Sequence, residues 1–232
     1  MTKAFVSWSS GKDSAFALHE ARRQGLEIVG VLTTVNEVYD RVAMHGVRNT
    51  VLDRQTRELG IPAIKVNLPV PCPNEVYEAR MAEACAQIRA AGVRQIVFGD
   101  LFLEDIRAYR IEKLTAAGME PVFPLWKRDT ALLAREMIAS GIVAYMTCLD
   151  PRKMPVSFAG RAFDAAFLRD LPGEVDPCGE NGEFHTVVTA GPMFARPIPV
   201  TIGETVERDG FVFTDVLLAE EAGSLIDQGP ST

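Results

Sequence analysis

The stretch Ser9-Ser10-Gly11-Lys12-Asp13-Ser14 constrains this chain more than any other. It follows the apolar run Ala4-Phe5-Val6-Ser7-Trp8 and precedes Ala15-Phe16-Ala17-Leu18-His19-Glu20-Ala21, so it reads as a turn between a buried strand and a helix. Such a turn gathers backbone N–H groups and the positive end of a helix dipole at one point, where an oxyanion can sit. Small side chains let a phosphate come close to the backbone. The Walker A pattern does not fit, because it needs glycine at Val6 and Ser or Thr at Asp13. A plainer reading, with Asp13 or Ser14 capping an ordinary helix, stands beside the phosphate one.

The segment resembles the Ser-Gly-Gly-x-Asp-Ser pyrophosphate loop (PP-loop) of N-type ATP pyrophosphatases, which cleave ATP between its α and β phosphates. Ser10 replaces the first glycine. Were φ positive there, serine would cost on the order of 1 kcal/mol relative to glycine, which a contact from its hydroxyl to phosphate could offset in part. A carboxylate beside a triphosphate calls for a hard cation between them, so Asp13 points to Mg²⁺ bound with ATP. Lys12 offers a compact positive charge to the leaving pyrophosphate.

With 232 residues, 47% of them apolar, the chain can bury a full core. A net charge of −7 argues against stable binding to nucleic acid, which is driven by positive surface, although a local basic patch remains compatible. No apolar run nears the roughly 20 residues that span a bilayer, and Met1-Thr2-Lys3 leads straight into a strand. These features predict a cytoplasmic protein with no membrane partner. Cys72, Cys85, Cys148 and Cys178 lack any Cys-x-x-Cys pair, so they read as reduced thiols.

Along the chain, strands are expected at Leu26–Thr34, Ala63–Leu68, Arg94–Phe98 and Ile142–Cys148, with Pro121–Trp126 between the last two. Helices are expected at Val47–Leu59, after an Asn74 cap, at Glu104–Ala117 and at Thr130–Ala139. The alternation predicts an α/β fold with a doubly wound, mainly parallel, Rossmann-like sheet of the adenine nucleotide alpha hydrolase kind. Ligands then bind beyond the carboxyl ends of the strands, where the Ser9 loop, Thr33 to Val35, Gly99-Asp100 and Cys148-Leu149-Asp150 should meet. Residues 1–150 form the expected nucleotide-binding domain. Residues 151–220 form a smaller α+β substrate-binding subdomain, with a helix within Phe163–Leu171, a strand at Phe184–Ala190, and a hairpin around Asp209-Gly210. Residues 221–232 read as a mobile tail.

The second unusual stretch is Asp176-Pro177-Cys178-Gly179-Glu180-Asn181-Gly182-Glu183-Phe184-His185-Thr186. Alone it could be an acidic surface turn entering a strand. Together with the first motif it resembles the diphthine–ammonia ligase family, in which Gly-Glu-x-Gly-Glu-(Phe/Tyr)-x-Thr follows the nucleotide domain. Met44-His45-Gly46, Gly99-Asp100, Arg110-Ile111-Glu112 and Pro124-Leu125-Trp126 extend the likeness, so that it spans roughly Phe5 to Phe194.

That resemblance implies a ligase in which a carboxylate attacks the α phosphate of ATP, pyrophosphate leaves, and ammonia or an amine displaces AMP. It would place Ser9, Ser10, Gly11, Lys12, Asp13 and Ser14 on the phosphates and Thr33, Thr34 and Val35 at the adenine, with Gly99 and Asp100 beside the nucleotide. His45 reads equally as a cap for the following helix or as a nucleotide contact. Glu180 and Glu183 are the candidates for orienting the amine or taking its proton, alongside Lys12 and Asp13 as catalytic groups. Arg110, Trp126, Gly179, Asn181, Gly182, His185 and Thr186 are expected at the substrate. Arg110, on the inward face of its helix, reads equally as a partner for Glu104, Asp105 or a sheet-edge acid. Cys178 reads as an inert thiol. His185 and Asn181 depart from the residues expected in the diphthine enzymes, which leaves open whether the carboxylate acceptor is diphthine or another acid, small or protein-borne. Oligomeric state stays open, a homodimer included.

Two other readings compete. A PP-loop enzyme that modifies tRNA would bind tRNA at low salt, against the acidic charge. A non-catalytic ATP or AMP sensor would bind nucleotide without turnover, and has little use for convergent acids.

Overall fold

The computed structural model describes residues 1–220; the tail expected to be mobile lies outside the described residues. The first half runs β1 (Lys3–Ser7), α1 (Lys12–Arg23), β2 (Glu27–Asn36), β3 (Arg41–Val42), α2 (Asn49–Leu59), β4 (Ala63–Leu68), α3 (Asn74–Ala90), β5 (Gln95–Val97), α4 (Glu104–Ala116) and β6 (Glu120–Val122). Five strands pair in parallel in the order β4-β2-β1-β5-β6. In β1, Ala4 and Val6 pack on one face and Phe5 on the other, the pattern of a central strand covered on both sides.

The face bearing Phe5, Leu32, Val66 and Ile96 is covered by α3 and α4 through Ala84, Cys85, Ile88 and Leu114. Pro73, not Asn74, stands at the N-cap of α3, and Asn74 instead donates to Glu78 at 3.2 Å within the first turn. The opposite face is covered by α1 and α2. The left-handed Gly60, φ +68°, ends α2 as its position suggested. Strand β3 was not foreseen. It pairs with Val35 and Asn36, whose other edge is taken by β4, so it continues the line of β1 along β2.

The second half comprises α5 (Thr130–Ala139), β7 (Val143–Leu149), α6 (Ala165–Asp170), β8 (Phe184–Ala190), β9 (Val200–Arg208) and β10 (Phe211–Leu218). Its strands form an antiparallel sheet, β8-β7-β10-β9. This corrects the expectation that the Ile142–Cys148 strand completes the parallel sheet: Tyr145 pairs with Val187 and Leu149 with Val212, both antiparallel. An unbroken apolar run announces a strand buried on both faces without saying which sheet buries it. Cys148-Leu149-Asp150 consequently runs beside the second motif, Cys148 against His185 and Leu149 against Phe184, rather than at the carboxyl edge of the parallel sheet. Asp209 and Gly210, φ +52° and +78°, turn the β9–β10 hairpin as their sequence required. Helices α1 and α2 lie between the two sheets, and one core runs from Val6 through Phe16 and Leu52 to Val187 and Val212. No helix among the described residues is long and apolar enough to cross a membrane.

Candidate active site

The strand order reverses between β1 and β5, and the loops leaving these two strands flank a crevice. Helix α1 begins at Lys12 after a Gly11 N-cap that makes no side-chain hydrogen bond, so neither Asp13 nor Ser14 caps it. Ser14 instead donates its hydroxyl to Gly11 O at 3.0 Å and lies 3.1 Å from Ser9 Oγ. Ser10 has φ +68°, the left-handed conformation that favours glycine. Its buried hydroxyl has no partner among the described residues, and Ser10 does not line the crevice, so no phosphate contact is positioned to offset the strain. Gly99 is required by close packing: a Cβ there would stand 2.8 Å from the backbone carbon of Asp13.

A pocket of about 260 Å³ opens at this point. Ser9, Asp13, Ser14, His45, Gly99, Asp100 and Arg110 line it from the first half, and Gly179, Glu180, Gly182 and His185 from the second. The two motifs, far apart in sequence, therefore share one cavity. Val188 N–H donates to Ser10 O at 2.8 Å, and Lys12 N–H donates to Thr186 Oγ1 at 3.1 Å. Gln55 closes the junction, its amide donating to Ser10 O and Val188 O while its oxygen accepts from the Trp8 indole at 3.0 Å. Sequence reasoning passed over Gln55. The available signal was a polar residue on the inward stripe Val51, Leu52, Gln55, Glu58, Leu59.

Lys12 does not face the pocket, contrary to its expected place beside the leaving pyrophosphate. Its side chain is buried, and Nζ donates to both oxygens of Asp13, at 2.9 and 3.1 Å, and to Cys178 O. The rings of Phe184 and Phe163 lie 5.0 and 5.3 Å away. Burial opposes the ammonium charge, yet Asp13 prevails and holds the Lys12 pKa above its ordinary value. Burial likewise raises the Asp13 carboxyl, against the pull of Lys12.

The two glutamates of the second motif divide. Glu180 lines the pocket and accepts from Leu101 N–H at 2.7 Å. Burial pushes its carboxyl up to about 7, against that hydrogen bond and aided by Asp13 and Asp100. Glu183, expected beside the nucleophile, lies beneath the loop instead, accepting from Asp176 N–H at 3.1 Å and from the Asn181 amide at 3.0 Å. Glu183 and Asn181 thus shape the turn. Gly179 is needed there, since a Cβ would meet Phe184 O at 2.9 Å.

His45 donates from Nδ1 to Thr186 O at 2.9 Å, the tautomer that a carbonyl partner demands, and its ring lies against His185 with centroids 4.6 Å apart. Burial lowers the two imidazoles to about 4 and about 3, so both are neutral near pH 7. Arg110 has the sheet-edge acid as partner, Nε lying 2.7 Å from Asp100. Trp126 stands outside the pocket against Phe123. Nor do Thr33, Thr34 and Val35 line it: Thr33 donates to Trp8 O at 2.8 Å, Thr34 O accepts from Ala43, and Val35 is in the core. Burial raises the Cys178 thiol well above its ordinary value, which suits an inert group.

Comparison with known proteins gives this geometry a relative. Residues 2–120 match the model of the diphthamide synthase N-terminal domain, and residues 129–218 match that of the C-terminal domain. The chain belongs to the diphthamide synthase family. Among curated members, the diphthine–ammonia ligase of Danio rerio is 31% identical over 120 residues, covering 49% of this chain and 47% of that protein. That of Rattus norvegicus is 30% identical over 138 residues, covering 56% and 51%. The chain thus spans about half the length of the curated relatives it matches. A predicted subunit of tRNA methyltransferase from Methanocaldococcus jannaschii superposes at a TM-score of 0.44 with 14% identity, covering 83% of this chain and 98% of that one.

The sequence expectation of a divalent cation bound with ATP can be set against the pocket, whose donors suit a hard cation. Asp13, Asp100 and Glu180 all present oxygen to it. Among the described residues, no group of three or more His, Cys, Asp or Glu is placed to hold a metal ion unaided. Phosphate oxygens would have to complete the coordination. Asp13, already shared with Lys12, is the carboxylate that belongs to the phosphate loop itself.

Proposed function

We propose that this chain is an ATP-dependent ligase that adenylates a carboxylate and forms an amide with ammonia or an amine. The observation that carries the reading is the shared pocket. The loop suited to phosphate and the carboxylate suited to proton transfer line the same 260 Å³, although Asp13 and Glu180 come from opposite halves of the chain. A sensor of ATP would need the first set of groups and not the second.

In the proposed reaction, the substrate carboxylate attacks the α phosphorus, the bond to the bridging β oxygen breaks, and pyrophosphate departs with that electron pair. The amine then attacks the acyl carbon, AMP leaves, and one proton must be removed from nitrogen. Glu180 suits that last task, because a carboxyl raised to about 7 can both take and release a proton near neutrality. Ser9 and Ser14 at the mouth of the loop, with the positive end of the α1 dipole behind them, would orient the phosphates. Mg²⁺, held through Asp13, would supply positive charge to the departing pyrophosphate. Lys12 acts at one remove, fixing Asp13 and the loop at Cys178. Neutral His45 and His185 wall the pocket without adding charge.

The test is incubation of the protein with α-labelled ATP, Mg²⁺, ammonium and candidate acids. Labelled AMP is the expected product, and Asp13→Asn should lower its formation on the order of 10²- to 10³-fold. ADP as the sole product would remove the reading.

A further inference from the structure

A ladder of rings and guanidinium groups leads out of the pocket. Arg110 lies 4.4 Å from the centroid of Phe98, and both line the cavity. Phe98 stacks on Phe123 with centroids 5.6 Å apart. Arg107, one helical turn before Arg110 on α4, sits 5.2 Å from Phe123 and 4.9 Å from Trp126. The two arginines differ in one respect. The Nε of each is buried, but Arg110 is paired with Asp100, whereas among the described residues no carboxylate pairs with Arg107.

Contact with ring faces holds a guanidinium in place but consumes none of its N–H groups, which point outward in the plane of the fork. A planar fork so oriented fits a carboxylate in bidentate fashion. Arg107 does not line the pocket itself, so a group bound there cannot be the one that reacts. We propose that Arg107, cradled by Phe123 and Trp126, is an anion site that reads a second negative group on the acid being activated. This rests on the ligase reading for the identity of the ligand, and the substrate class becomes a dicarboxylic acid or an acid of equivalent charge. Arg110 and Phe98 then line the path between the two ends.

Trp126 supplies the readout. The chain has two tryptophans, and Trp8 is buried in the core, so a ligand at the ladder alters the emission of Trp126. The probes are the dicarboxylates from malonate to adipate and monocarboxylates of matching length, titrated alone and with Mg²⁺ and α,β-methylene ATP. At least one dicarboxylate is expected to give a saturable change, about tenfold tighter than its monocarboxylate, and Arg107→Gln is expected to abolish that preference. Arg107→Lys, which keeps the charge and loses the fork, should weaken binding by about tenfold. Trp126→Phe should remove the signal. The proposal is overturned if no dicarboxylate binds under either condition, or if the preference survives Arg107→Gln. Binding without formation of AMP would retain the anion site and remove the ligase reading instead.

Discussion

Lys12 Nζ donates to the carbonyl oxygen of Cys178, 166 residues away in sequence, while also holding both oxygens of Asp13. One ammonium group therefore fixes the position of the expected metal ligand and the conformation of the loop that carries Glu180. Its removal should act first on stability, because a half-buried carboxylate and a buried carbonyl lose their donor together. Lys12→Met is expected to lower the free energy of unfolding by about 3 kcal/mol, read from urea denaturation. A variant as stable as the parent but slow in releasing pyrophosphate would mean that Lys12 reaches the substrate after all.

Glu180 makes a prediction about pH. Its folded pKa, about 7, lies above the ordinary 4.5, so between these values the folded protein binds more protons at this site than the unfolded chain does. The contribution of this group to stability is therefore most favourable below about pH 4.5 and is lost as pH rises through about 7. Glu180→Gln removes that dependence. Against the parent, the variant should gain in urea midpoint as pH goes from 5 to 8. A constant difference across that range would show that the carboxyl titrates normally.

His45 and His185 work in the opposite direction. Their folded pKa values, about 4 and about 3, lie below the ordinary 6.5, so the unfolded chain binds the extra protons and stability falls as pH drops from 6.5 toward 4. Other groups facing the pair are Lys12, which adds to the effect, and the carboxylates Asp13, Asp100 and Glu180 across the pocket. His185→Asn should flatten the acid limb of the stability profile. An unchanged limb would assign the acid sensitivity to other groups.

Much of the site was legible because its chemistry is local. A strand, a run of small residues and a helix require one kind of turn, and the positive φ anticipated as a cost at Ser10 is found there. The strand at Phe184–Ala190 and the Asp209-Gly210 turn were equally fixed by neighbours in sequence. What could not be read depends on distant partners. β7 is apolar but for Thr147, and only the competition between sheets decides where it pairs. Glu180 and Glu183 are alike in type and surroundings, and the left-handed glycines Gly179 and Gly182 determine which one turns to the pocket. The direction of Lys12 depends on Phe163, Phe184 and Cys178, none of which lies near it in sequence.

Gly99→Ala tests the crevice without touching charge. The added methyl would lie 2.8 to 2.9 Å from backbone atoms of Asp13 and Ser14, and backbone in the first turn of a helix cannot move aside as a side-chain tip can. Overpacking of this kind costs about 1–3 kcal/mol, and here it displaces the loop itself. Binding of a fluorescent ATP analogue should weaken at least tenfold while the far-ultraviolet circular dichroism stays that of the parent. Unchanged affinity would place the nucleotide elsewhere.

Asp215 tests how the two halves are clamped. It accepts from Arg41 at 2.8 Å and from Arg48 at 3.0 Å, joining β10 to the segment that bears His45. Although partial burial disfavours its charge, the two guanidinium groups bring the carboxyl down to about 2, below its ordinary 3.8. Stability from this group is thus complete above about pH 4 and lost as pH falls through about 2. Asp215→Asn leaves two cations facing one neutral amide, and should cost about 2 kcal/mol at pH 7. Because β3 has only two residues, the loss should reach Gly46, whose carbonyl also accepts from Arg41, and through it His45. Faster amide hydrogen exchange is therefore expected at Val42 and His45, with β5 unaffected. If the deficit persisted undiminished at pH 2, where the parent carboxylate is already about half protonated and most of its contribution is gone, packing rather than charge would be the origin of the clamp.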